Sequence, residues 1–418
     1  MSVVSVMRVL SALILSFAVP CSTLAQTADG LQADAAAMLD LVAHNYAYPE
    51  RVPEGWADHH AGLRDAIGQI ETRGELLGFA ETALHRLCDH HAITGPSSAD
   101  SAALVPSFAD LWVEETDGYF RITQVRRGSP AAAAGLLPGD DLVAIGGVST
   151  GDAVTAFWGT EPPRGDACPG YAARVLAAGP RQGLRHLTVQ RDDQAITVEV
   201  DGLYTRGIER PDGPLAVRDI APQLRHIVFN DSLGDAAAIA AFDAAVSDAP
   251  AGTRFIIDLR ETPSGGNTSV GRAVLGHFTG AVAPYQRHVL PVEARETGVP
   301  RSWIEEVSPR QPVFAGERRA VVLVGRWTGS MGEGMAVGFD ALGVDVMGSP
   351  MAGLLGAIGD YRLEETGWIF KLPFERLSHV DGTPREAFVP PLRIEPGFTG
   401  DADDDPALAA AVDWLTDG

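Results

Sequence analysis

The sequence predicts an α/β chain in three parts: a helical opening section, a small β-rich module and a β/α core. Three observations predict it. From Leu31 to about Cys88 apolar residues recur at helical spacing, as in Met38, Leu41 and Val42. Between Gly118 and Val200 short stretches alternate apolar and polar residues, the pattern of half-buried strands. From about Leu215 apolar runs of strand length take turns with helical patterns, which implies a mainly parallel sheet covered by helices.

Taken in order, residues 1–25 hold one arginine, Arg8, then an apolar stretch from Val9 to Val19, then small residues at Thr23 and Ala25. That pattern predicts a secretory signal peptide cut after Ala25, and so a periplasmic or secreted protein. Cys21 follows Pro20 rather than a small residue, which argues against lipidation. No later segment is apolar for long enough to predict a membrane span. The formal charge of −23 over 418 residues excludes the basic surface that a nucleic-acid partner or an anionic membrane would need. Outside the cytosol, Cys88 and Cys168 are free to form a disulfide, although sequence alone does not place them within reach.

The helical section, 26–97, ends in "LCDHHAITGPSS", where Gly95 and Pro96 break the pattern. His85, Cys88, Asp89, His90 and His91 cluster here, but their spacing fits no common zinc site, so neither a metal nor another cofactor is expected. The β module, 105–205, contains "GYFRITQV" and "HLTVQRDDQAITVEV" as strands. Between them, Gly128 to Ser149 run as a small-residue helical turn, a Gly-Leu corner, a Pro-Gly-Asp turn and a strand. That order is similar to the ligand-groove half of PDZ domains, which implies a groove that adds an extended peptide to a sheet edge. Gly159 to Gly170 are expected to form an inserted loop.

In the core, 215–418, "RHIVF", "RFIIDL" and "AVVLVG" are strand-length runs, and Tyr285 to Glu317, rich in proline and charge, are expected to leave the sheet as an excursion. Two glycine-rich turns follow apolar strands. In "TGSMGE", Ser330 stands where a buried strand hands over to a helix, a near miss to the nucleophile elbow with Thr328 in place of its first glycine. A hydroxyl there is presented at the sheet end beside free helix N–H groups. Ser330 is equally an N-cap residue, and Glu333 three positions on completes a capping box. The second turn, "DLRETPSGG", brings Gly265 and Gly266, which let backbone approach a ligand.

"CDHHA", the PDZ-like stretch, "DLRETPSGG" and "TGSMGE" follow the order found in the S41 peptidases, the family of carboxyl-terminal processing proteases, tricorn-core proteases and retinoid-binding-protein repeats. The resemblance runs from about Leu31 to Ile394 and implies a core like the ClpP and crotonase β/α spiral. It also implies a serine peptidase acting on peptide or protein substrates, with the PDZ-like module binding a substrate C-terminus or gating the site. Ser330 falls at the nucleophile, with the N–H of Met331 and that of Gly265 or Gly266 as the oxyanion hole. The family lysine in a Gly-Lys-Gly turn is missing, for Leu354 stands in its place, and Lys371, the one lysine of the chain, lies in a later strand-like run. The tricorn-like branch implies instead His91 as base and Glu386, in "REAFVPPLRI", as its carboxylate. His90 is the neighbouring alternative to His91, and Glu333 the alternative carboxylate. A catalytically inactive peptide-binding protein is the rival expectation; the sequence is silent on oligomeric state.

Overall fold

The computed structural model describes residues 27–416 apart from 52–55, 57–61, 160–161, 164, 166, 317–318 and 395–403. The expected signal peptide and Cys21 lie outside the described residues. Helices α1 (Ala28–Asn45) and α2 (Arg73–His85) open the chain. Thr72 caps α2: its hydroxyl accepts from the Glu75 N–H at 3.2 Å, and the Glu75 carboxylate accepts from the Thr72 N–H at 2.9 Å. Leu31, Met38 and Val42 of α1 bury against Leu76 and Leu84 of α2, and against Phe370 and Leu372 from the far end of the chain. The helical section thus shares its core with the C-terminal half.

A six-stranded antiparallel sheet follows, in the order β1-β2-β3-β4-β5: β1 (Leu111–Thr116), β2 (Tyr119–Val125), β3 (Asp141–Ile145), β4 (Leu184–Arg191) and β5 (Gln194–Asp201), with Val148–Ser149 also paired on β3. In β2, Phe120, Ile122 and Gln124 turn inward while Tyr119 and Arg121 face water, the period of two that marks a one-sided sheet. Helices α3 (Thr150–Trp158) and α4 (Ala167–Ala178) pack on its inner side through Val154, Tyr171 and Val175. The expected inserted loop therefore ends in the first turn of α4. There Cys168 forms a disulfide with Cys88, Cα atoms 5.3 Å apart, tying α4 to the loop after α2.

The core holds two sheets. The larger runs β15-β12-β11-β8-β7-β6, where β6 is Leu215–Ala221, β7 Leu224–Phe229, β8 Arg254–Asp258, β11 Ala320–Val324, β12 Asp345–Gly348 and β15 Leu392–Arg393. All pairings are parallel except β6 with β7. Phe255 to Ile257 and Val321 to Leu323 have no measurable exposure, because both faces are covered, and so these strands are unbroken apolar runs. Helices α5 (Ala237–Ser247), α6 (Thr268–Leu275) and α7 (Met331–Ala341) cover one face, and α8 (Pro406–Thr416) the other.

The smaller sheet contains β9 (Ala283–Leu290), β10 (Arg301–Val307), β13 (Ala357–Arg362) and β14 (Ile369–Ser378). Its order is Ile93–Thr94, β14, β9, β10, with β13 also on β14. The expected excursion Tyr285–Glu317 is thus corrected: it supplies two strands. Prolines spare these strands: Pro284, just before the stretch, sits at a bulge, Pro291 starts a short helix, Pro300 precedes β10, and Pro309 and Pro312 follow it. Ile93 and Thr94 pair with Lys371 and Phe370, which carries the His91 loop across the molecule onto this sheet. Among the described residues no helix is long and apolar enough to cross a membrane.

Candidate active site

Strands β8 and β11 lie side by side, and their pairing continues into the turns that follow them. The Thr262 N–H donates to the Trp327 carbonyl at 3.0 Å and the Gly329 N–H to the Thr262 carbonyl at 3.2 Å. Thr262 and Thr328 are fully buried, and each hydroxyl donates to the Leu259 carbonyl, at 2.8 and 2.9 Å. Arg260 anchors the base of the first turn by bridging Asp258 and Asp405. Although burial pushes Asp258 up, Arg260 and His226 hold its carboxyl well below the usual range.

Ser330 crowns the second turn at φ 49°, ψ −110°, a left-handed conformation costly for any residue with a side chain. The surroundings hold it there. Gly265, itself at φ +66°, lies so close that a Cβ on it would stand 2.4 Å from the Ser330 Cβ and 3.0 Å from its Oγ. Gly329 is pressed equally tightly on the Pro263 carbonyl, 2.5 Å from where its Cβ would be. Glycine is required at both positions by contact, not by turn type alone.

Met331 is the first residue of α7, and its N–H belongs to the donors a helix leaves without an internal partner. Of the two glycines expected to add a second donor, Gly265 is committed, its N–H donating to the Thr262 carbonyl at 3.2 Å. Gly266 remains the candidate; a Cβ on it would fall 2.0 Å from the Leu233 carbonyl carbon, which fixes this turn against the loop after β7.

Glu333 is fully buried and accepts from three backbone N–H groups: Ser330 at 2.8 Å, Gly353 at 2.8 Å and Leu354 at 3.3 Å. Burial pushes its carboxyl up to about 7, against the pull of Arg385 and those N–H groups. It therefore caps the serine turn as expected, and also joins it to residues 353–355. The Leu354 side chain reaches back to the turn, 3.3 Å from where a Cβ on Gly329 would sit. The position expected to carry a lysine thus does border the serine turn, and an apolar side chain fills it.

His91 completes this chain of contacts. Its Nδ1 donates to the Leu355 carbonyl at 2.7 Å, which fixes the tautomer and leaves Nε2 with the lone pair. Its own N–H donates to Asp89, whose other oxygen accepts from the Tyr46 hydroxyl at 2.8 Å. Burial first, and the charge of Arg385 second, lower the imidazole to about 4, so it is neutral at neutral pH.

Two expected contacts are not made. His90 turns away from the serine and into the β module, stacked on Tyr171 at 4.3 Å with its Nε2 accepting from Arg174 at 3.0 Å. No hydrogen bond joins Glu386 to His91, whose Nδ1 is taken by the Leu355 carbonyl. The Glu386 carbonyl flanks Gly353, and its carboxylate lies beside the Tyr48 hydroxyl and near Asp89. Lys371, on β14 between Ile93 and Asp360, pairs with Asp360. Leu355 and Arg385 escaped the sequence reading: one acts through its backbone, and the other donates to the Leu354 and Gly356 carbonyls, a role no spacing announces. Among the described residues no group of three or more His, Cys, Asp or Glu side chains is placed to hold a metal ion.

Solved structures with this arrangement of elements include mature CPAF (TM-score 0.57, 14% identity, covering 88% of this chain and 92% of that one). The photosystem II D1 C-terminal processing protease aligns at TM-score 0.53 and 14% identity, over 89% of this chain and 95% of its own. A putative peptidase from Parabacteroides merdae aligns at 0.55 and 13%, over 93% and 98%. This chain has the fold of the S41 carboxyl-terminal processing proteases. The family model for a PDZ domain matches residues 121–155, within the β module. No curated protein matches the sequence.

Proposed function

We propose that the chain is a periplasmic or secreted serine peptidase of the S41 type in which Ser330 is the nucleophile and His91 the base. The observation that carries this reading is the strained conformation of Ser330, held by Gly265 and wired through Glu333 and residues 353–355 to a neutral imidazole of fixed tautomer. A helix cap alone needs no such strain, and strain of this kind persists where a function retains it. Ser330 Oγ attacks the peptide carbonyl while His91 Nε2 takes its proton; the N–H groups of Met331 and Gly266 receive the developing oxyanion. The imidazolium then gives its proton to the leaving amine, and water, activated by His91, releases the acyl group. Glu386 lies beside Tyr48 and near Asp89 and does not orient the ring directly. The Cys88–Cys168 disulfide supports an oxidising compartment. Substrates are peptide or protein chains taken with the help of the PDZ domain.

Leu354 favours a second reading, a fold retained for peptide binding alone. Incubation with an activated peptide ester, followed by mass spectrometry of the Ser330 peptide, separates the two. An acyl adduct on Ser330 supports the peptidase; its absence from folded protein supports the binding module.

A further inference from the structure

A PDZ domain takes peptide by strand addition at a free sheet edge. Here β1 is the edge strand of its sheet. Opposite Val113, Ile122 turns its N–H and C=O toward the next strand, bonding Asp140 and Gly139 at 2.8 Å each. Val113 therefore directs its own polar groups to the open edge, as does Glu115 two residues on. Both are already covered. Arg174 of α4 donates to the Val113 carbonyl at 3.0 Å, and a Cβ on Gly170, one helical turn earlier, would stand 3.6 Å from the Glu115 nitrogen. Arg174 is fixed in turn by His90 Nε2 and by the face of Trp112. Two residues before Gly170, Cys168 is bonded to Cys88.

We propose that α4 occupies the peptide-addition edge of the PDZ domain, latched there by the Cys88–Cys168 disulfide, and that extended peptide enters only after a dithiol reduces the latch. The exchange is balanced: the dithiol gives two electrons and two protons, becomes a cyclic disulfide, and leaves Cys88 and Cys168 as free thiols. The first turn of α4, through Gly170, then swings off the edge and the Arg174 side chain leaves the Val113 carbonyl, while Val175 and Ala177 keep the rest of the helix packed on the sheet. The inference rests on the PDZ reading and not on Ser330 chemistry, so acyl-enzyme formation is scored separately.

The test compares the oxidised protein, the protein reduced with dithiothreitol, and the Cys88→Ser/Cys168→Ser variant, each checked for folding by circular dichroism. Hydrogen exchange is followed over 111–116, with β4 as internal control. Binding is followed by the anisotropy of a fluorescein-labelled decapeptide pool, randomised at its last four positions and ending in a free carboxylate. We expect exchange at 111–116 to rise at least tenfold on reduction with β4 unchanged, and the pool to bind only the reduced protein and the variant. Should the variant not fold, the reduced wild type carries the comparison. Unchanged exchange, equal binding to the oxidised form, or binding to no form each overturns the proposal.

Discussion

Gly265→Ala probes the contact on which the serine turn depends. A Cβ at this position would stand 2.4 Å from the Ser330 Cβ, whereas carbon atoms settle at about 3.5 Å or more. The two turns must therefore separate by roughly 1 Å, and a displacement of that size at a reacting group costs about 100-fold in rate. Alanine at φ +66° adds a backbone penalty of about 1–2 kcal/mol. Gly343→Ala separates the two effects: Gly343 is also left-handed, at φ +76°, but a Cβ there meets nothing within 4 Å. The assay is the second-order rate of Ser330 modification by a fluorophosphonate, beside urea unfolding of the same samples. Gly343→Ala should lose about 1–2 kcal/mol of stability, Gly265→Ala about 1–3 kcal/mol more for the overlap, and only Gly265→Ala should lose about 100-fold in labelling. Labelling of Gly265→Ala within threefold of wild type would refute the claim that this packing positions the serine.

The pH dependence of labelling should show two acid limbs, since His91 must be neutral and Glu333 must be a carboxylate to accept its three N–H bonds. Lowered imidazole and raised carboxyl place them at about 4 and about 7, activity falling as pH drops through each. Glu333→Gln should remove the upper limb, keep the lower, and cost about 1–3 kcal/mol in urea unfolding for the bonds it spoils. For stability the two groups act in opposite directions. The His91 contribution is present above about 6.5 and lost as pH falls toward 4, while that of Glu333 is present below about 4.5 and lost as pH rises toward 7. Arg185→Met should destabilise the PDZ domain by about 3–5 kcal/mol, measured by urea unfolding, because it strands the fully buried Asp110 carboxylate. Cys88→Ser/Cys168→Ser should lower global stability by about 4 kcal/mol, given the 80-residue separation the disulfide spans.

What the sequence made legible was local. Ser330 and Glu333 belong to one strand-turn-helix unit, so their spacing alone announced both a cap and a possible nucleophile, and the continuous apolar runs of β8 and β11 announced buried parallel strands. The partner of His91 was not legible, because a backbone carbonyl 264 residues away leaves no mark in composition or spacing. The choice between His90 and His91 was likewise hidden, since adjacent residues in a loop face opposite ways only once Tyr171 and Leu355 have been brought to either side. The smaller sheet joins Ile93–Thr94 to β14, β9 and β10, pairings across most of the chain that no local periodicity encodes. Residues 167 and 168 read as loop because Pro169 and Gly170 follow them, yet proline in a first turn is compatible with the helix that begins there.

The central claim, a serine activated by His91 without a lysine, is tested most directly by fluorophosphonate labelling of wild type, Ser330→Ala, His91→Ala and Lys371→Met at pH 7.5. The account predicts labelling of wild type and Lys371→Met at similar rates, none for Ser330→Ala, and a loss of at least about 100-fold for His91→Ala. Labelling that survives in His91→Ala, or that is absent from folded wild type, would contradict it.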